Sequence, residues 1–145
     1  MTTKNLLILT LLATSLTLSA TVPTQLTQTA HEQSTSISTQ IAATLYDRGL
    51  EEKTAHKLTL AMINTDEELF AFMVQNFSLE SGLSMDEISQ ELGKIALNKR
   101  KADFSSYSFL IKLAQSIKKE SLTAKELQTI ENISTKNQMI YSRFS

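Results

Sequence analysis

Few side chains in this sequence have the capacity to do chemistry. The chain of 145 residues contains two histidines, His31 and His56, and no cysteine. Cysteine nucleophiles, disulfide frameworks and zinc-cysteine centres are therefore excluded by composition. His56 follows Glu52 by four residues, a spacing that puts an imidazole and a carboxylate on one helix face and would supply two ligands of a metal site. A centre built between helices needs a second such pair, and the sequence offers none. Glu52 and His56 thus read as an exposed surface pair, with no metal expected. Serine, histidine and aspartate all occur, but no Gly-x-Ser-x-Gly elbow, glycine-rich phosphate loop or His-Glu-x-x-His run accompanies them. Neither a catalytic residue nor a cofactor is expected, and the chain reads as non-enzymatic.

The one basic cluster is Lys99-Arg100-Lys101, with Lys94 nearby. Three consecutive side chains point to different sides of a helix, and a helix C-terminus attracts cations, so the run reads as a helix end. A patch for phosphate or lipid headgroups is the alternative. A helix-turn-helix reading of Ser84 to Lys101 fails because Lys94-Ile95-Ala96-Leu97 continues the helix past Gly93, and no nucleic-acid partner is expected. Asn76-Phe77-Ser78 and Asn132-Ile133-Ser134 match the N-glycosylation triplet.

The elements that position these groups follow from composition and spacing. Valine occurs only at Val22 and Val74, against 21 leucines and 12 alanines, which removes sheet-forming material and favours straight-chain helix formers. The hydrophobic content of 41% and net charge of −1 are those of a globular chain. The expected class is all-α, a compact bundle of five or six short helices behind an N-terminal signal peptide and a polar arm.

Met1 to Ala20 carries Lys4, an apolar stretch from Leu6 to Leu18, and the small residues Ser19-Ala20. This is the layout of a secretory signal peptide, with cleavage expected after Ala20. The stretch is shorter than the roughly 20 apolar residues that span a bilayer, so no stable membrane span is expected after cleavage. The expected location is extracytoplasmic, periplasmic or secreted. Without disulfides, an exported domain of this size must be held by packing alone. Residues 21–40, rich in Ser, Thr and Gln and containing the only proline, Pro23, read as an arm or linker that is partly helical. Residues 41–145 are assigned to the helical-bundle domain.

Helix signals punctuate that domain. A first helix from about Ser36 to Arg48 ends at Gly49, which suits a left-handed cap. A second runs from about Leu50 to Ile63. Then Thr65-Asp66-Glu67-Glu68-Leu69, Ser84-Met85-Asp86-Glu87-Ile88 and Thr123-Ala124-Lys125-Glu126-Leu127 each place a hydroxyl three residues before a glutamate and just ahead of an aliphatic side chain. That is the capping-box arrangement, so three helices are expected, at about 66–77, 85–101 and 124–142. A further helix over about 104–119 takes Asp103 or Ser105 as its cap. Gly93, inside the helix opened by Ser84, allows a neighbouring helix to approach closely.

Phe70, Phe72, Met73, Val74 and Phe77 make the third helix apolar around much of its circumference. Either that helix is central and wholly buried, or one flank is left as a docking surface or dimer seam. Phe70, Phe72, Met73 and Phe77 are accordingly the candidate interaction residues, for a protein partner or a homodimer. A small-ligand pocket between helices, as in a helical carrier, is a further alternative.

Leu83-Ser84-Met85-Asp86-Glu87 and Leu122-Thr123-Ala124-Lys125-Glu126 resemble the Leu-Thr-x-x-Gln motifs of the small periplasmic all-helical stress chaperones, with glutamate in place of glutamine. The resemblance covers ten residues. It implies a cradle-shaped dimer that binds unfolded clients without ATP.

Overall fold

Two of the three expected boxes cap a helix at the residue the spacing predicts, and the one at Thr123 is reciprocal at the backbone. In the computed structural model, which describes residues 37–144, the Ser84 hydroxyl accepts from Glu87 N and donates to the Glu87 carboxylate, both at 3.1 Å. Thr123 and Glu126 satisfy each other's backbone N–H groups at 2.8 and 3.1 Å. The third box is displaced by one residue, because Asp66 and not Thr65 is the cap, its carboxylate accepting from Leu69 N at 3.0 Å. Aspartate and threonine compete for adjacent positions here, and the stronger, charged acceptor takes the role.

Among the described residues there are six helices and no strand: α1 over residues 37–47, α2 Glu52–Met62, α3 Glu67–Ser81, α4 Met85–Leu97, α5 Tyr107–Lys118 and α6 Ala124–Phe144. The fold is all-α. The proposed signal peptide, its cleavage point after Ala20, His31 and most of the polar arm lie outside the described residues. Residues 37–40 belong to α1, and Ile37 and Ser38 are buried. The helical domain therefore begins before residue 41.

Each helix buries one stripe. Ile37, Ile41 and Leu45 of α1 recur every four residues, and Ala55, Thr59 and Met62 of α2 at spacings of four and three. The broadest buried face belongs to α3, where Phe70, Ala71, Met73, Val74 and Phe77 enter the core. It packs antiparallel on α6, whose Tyr141 hydroxyl donates to Asn64 O at the start of α3, while Lys136 pairs with Glu80 near its end at 2.9 Å. α4 packs on α2, α3 and α5, and α5 also packs on α6. Gly93 is where α1 comes closest to α4: a Cβ placed on it would lie 2.3 Å from the Thr44 hydroxyl.

Three helix ends differ from the expectation. α3 runs a full turn past Phe77 because its stop is Gly82, held left-handed at φ +79°, with its N–H on Ser78 O. α4 stops at Leu97 and not at Lys101. Lys99 turns left-handed at φ +58°, and Arg100 N closes back on Ile95 O at 3.1 Å. α5 begins at Tyr107, capped by Ser106, so Phe104 lies ahead of the helix and neither Asp103 nor Ser105 caps it.

The second half of the connection from Asn98 to Ser106 consequently enters the interior. Ala102 and Phe104 are fully buried, and Ala102 N donates to Met62 O at 3.1 Å beside a single parallel bridge between Ile63 and Ala102. The Phe104 ring meets Phe70, Phe77 and Phe109 edge-on, with centroids 5.5 to 5.7 Å apart. Buried backbone carbonyls need donors, and α6 supplies them. Asn137 Nδ2 donates to Phe104 O at 2.8 Å, and the Ser134 hydroxyl and Gln138 Nε2 both donate to Ser105 O.

Lys99 and Lys119 both occupy left-handed C-cap positions, at φ +58° and +60°, where any side chain costs roughly 1–2 kcal/mol and glycine costs only its extra chain entropy. Lys99→Gly and Lys119→Gly should each raise stability by about 0.5 kcal/mol. Urea unfolding of the single and double variants measures this, and a destabilised Lys99→Gly would show that its side chain contributes contacts in the folded state.

Candidate functional site

α3 has to satisfy two environments at once. Phe70, Met73 and Phe77, three of the four candidate interaction residues, are fully buried, so they form core and not contact surface. The physical reason is their spacing: positions 70, 73, 74 and 77 share the face that meets α6, α4 and the Phe104 ring. Phe72 falls on the opposite flank and is 52% exposed. Leu79, seven residues on and so on the same flank two turns away, is 81% exposed. They form an outward row of two apolar side chains with Gln75 and Asn76 between them, bracketed by Glu68 and Glu80. Leu79 escaped the sequence reading because that reading ended the helix at Phe77; Gly82 was the signal for the longer helix.

Glu52 and His56 are exposed on α2, as the four-residue spacing requires. They border an open groove of about 300 Å³ between α1 and α2, floored by Ala42, Ala43 and Ala55 and edged by Tyr46. Among the described residues no group of three or more metal-ligating side chains converges. The arrangement offers one imidazole and one carboxylate at the edge of a shallow surface.

The basic cluster sits on the turn after α4 and separates two further grooves. One, of about 510 Å³ between α4 and α5, is lined by Lys94, Ile95, Arg100, Phe109, Lys112 and Leu113 among others. The second, of about 280 Å³, lies between α2 and α4 and is lined by Leu58, Met62, Lys99, Arg100 and Lys101 among others. Lys94 pairs with Glu91 at 2.9 Å. Among the described residues Lys99, Arg100, Lys101 and Lys112 are held in no ion pair.

The two glycosylation triplets differ in exposure in the folded domain. Asn76 Nδ2 is buried without a partner. Asn132 is exposed, but it lies within α6, accepts from Gln128, and the Ser134 hydroxyl of its triplet is buried on Ser105 O. The two segments that resemble chaperone motifs are the starts of α4 and α6. Their leucines, Leu83 and Leu122, pack against the core and line a small cavity of about 60 Å³ with Lys118 and Glu126, which pair. Helix capping and packing account for both segments. No known protein family, curated protein or solved structure matches the chain.

Proposed function

We propose that this is an exported, soluble helical protein that works by contact with another protein, through the outer row of α3. The observation that carries this reading is the exposure of Phe72 and Leu79 on one flank of a helix whose other face is wholly core. Two large apolar side chains two turns apart are the kind of anchors by which one helix seats against an apolar face of a second chain. The occupant is a partner chain offering such a face. Export rests on the Met1 to Ala20 pattern, and the extracytoplasmic location is part of the same proposal.

Photo-crosslinking in the producing cells tests it, with p-benzoylphenylalanine placed at position 72, at 79, and at exposed Lys125 as a control. Positions 72 and 79 should give the same discrete adduct and position 125 none. An adduct of twice the chain mass, matched by dimers in sedimentation, identifies the partner as a second copy. Failure to crosslink at both 72 and 79 would overturn the contact role. The exported chain should begin at Thr21, and an intact Met1 by N-terminal sequencing would overturn the export claim.

A further inference from the structure

The helix dipole explains cations at the end of α4, but it does not explain Lys112. That residue sits in the middle of α5, far from either terminus, and the packing of α5 on α4 brings it to the same groove as Arg100. Among the described residues the only carboxylate lining that groove is Glu91, already paired with Lys94. Arg100 and Lys112 are exposed and, among the described residues, held in no ion pair. Between them the groove has an apolar part, with half-buried Ile95 and Phe109 and buried Leu113. A chain of net charge −1 thus concentrates unpaired positive charge at the edge of an apolar surface.

We propose that the α4–α5 groove binds a small amphiphilic anion, with an apolar body against Ile95, Phe109 and Leu113 and a carboxylate or phosphate head between Arg100 and Lys112. Charge complementarity sets the sign of the head. A guanidinium presents a fork of donors that fits a carboxylate or phosphate, and an ammonium adds a mobile point charge. The apolar part sets the body, since a purely ionic ligand would leave Ile95 and Phe109 facing water. At about 510 Å³ the open groove has room for a small molecule. This site is independent of the α3 row, so the two proposals stand or fall separately.

The test is a ¹⁵N NMR titration of the purified chain with decanoate, decanol, inorganic phosphate, a short polyglutamate peptide, and vesicles of phosphatidylcholine with and without phosphatidylglycerol. Decanoate should shift the amides of Ile95, Phe109 and Leu113 together with those of Arg100 and Lys112, saturably, and should bind about tenfold more tightly than decanol. Arg100→Gln combined with Lys112→Gln should weaken decanoate binding by about tenfold, the scale of two partly screened ion pairs. Both side chains are exposed, so the spectrum elsewhere should be preserved, and Lys125→Gln should change nothing. Equal binding of decanol, no saturable shift at the groove, or the same affinity in the double variant would overturn the proposal. So would tighter binding of polyglutamate, which assigns the groove to an acidic protein segment, or of phosphate alone, which assigns it to a simple anion. Binding only to phosphatidylglycerol vesicles would make it a membrane contact.

Discussion

Phe104→Ala should destabilise the domain by about 3–5 kcal/mol, the cost of removing a fully buried phenylalanine from a packed interior. The ring is the meeting point of three others, Phe70, Phe77 and Phe109, each edge-on at 5.5 to 5.7 Å. Such pairs add about 0.5–1.5 kcal/mol each beyond burial, which puts the loss at the upper end of that range. Domains of this size have roughly 5–15 kcal/mol in total, so the variant should lose at least about 12 °C in Tm. Phe104→Leu keeps most of the volume and should lose less than half as much. Thermal unfolding followed by circular dichroism measures both. A loss under about 1 kcal/mol for Phe104→Ala would show that the connection from Asn98 to Ser106 is not part of the core.

Gly93→Ala should cost about 1–3 kcal/mol, although alanine is the better helix former by about 1 kcal/mol. The added methyl would stand 2.3 Å from Thr44 Oγ1, which is itself occupied in donating to Ile41 O at 2.7 Å in a buried position. Either the threonine turns and gives up that hydrogen bond, or α1 moves away from α4. Thr44→Ala removes the obstructing oxygen, and the Thr44 Cβ lies 3.5 Å from the new methyl, an ordinary contact. The double variant Gly93→Ala/Thr44→Ala should therefore recover nearly all of the wild-type stability. The coupling energy from a double-mutant cycle in urea should be at least about 1 kcal/mol. Strict additivity would mean that the two helices do not meet at this point.

What was legible in the sequence was local. Ser84 with Glu87, and Thr123 with Glu126, announce helix starts because both partners of the cap lie within four residues. Gly49 and Gly82 announce ends for the same reason, both held at positive φ. Lys99 could not be read as an end, since a lysine is disfavoured in a left-handed turn and the stripe Ile88, Leu92, Ile95 continues smoothly into it. Phe104 likewise reads as the first residue of a helix, because the bonds that hold it in a non-helical connection come from Asn137 and Ser134, about thirty residues away. The same division applies to the candidate sites. That α3 is apolar on several sides is written in its sequence, but which flank faces outward depends on where α6 and the Phe104 ring lie. That Lys112 and Arg100 line one groove follows from the packed α4–α5 pair and from neither helix alone.

The donors on α6 that satisfy the buried connection bear on the order of events during synthesis. Phe104 O waits for an amide 33 positions later in the chain, and Ser105 O for a hydroxyl 29 positions later. When α5 leaves the ribosome, those carbonyls have no donor, and four of the aromatic rings have no lid. Burial of this connection is thus tied to α6: in the folded domain Phe104 O and Ser105 O take their side-chain donors from that helix.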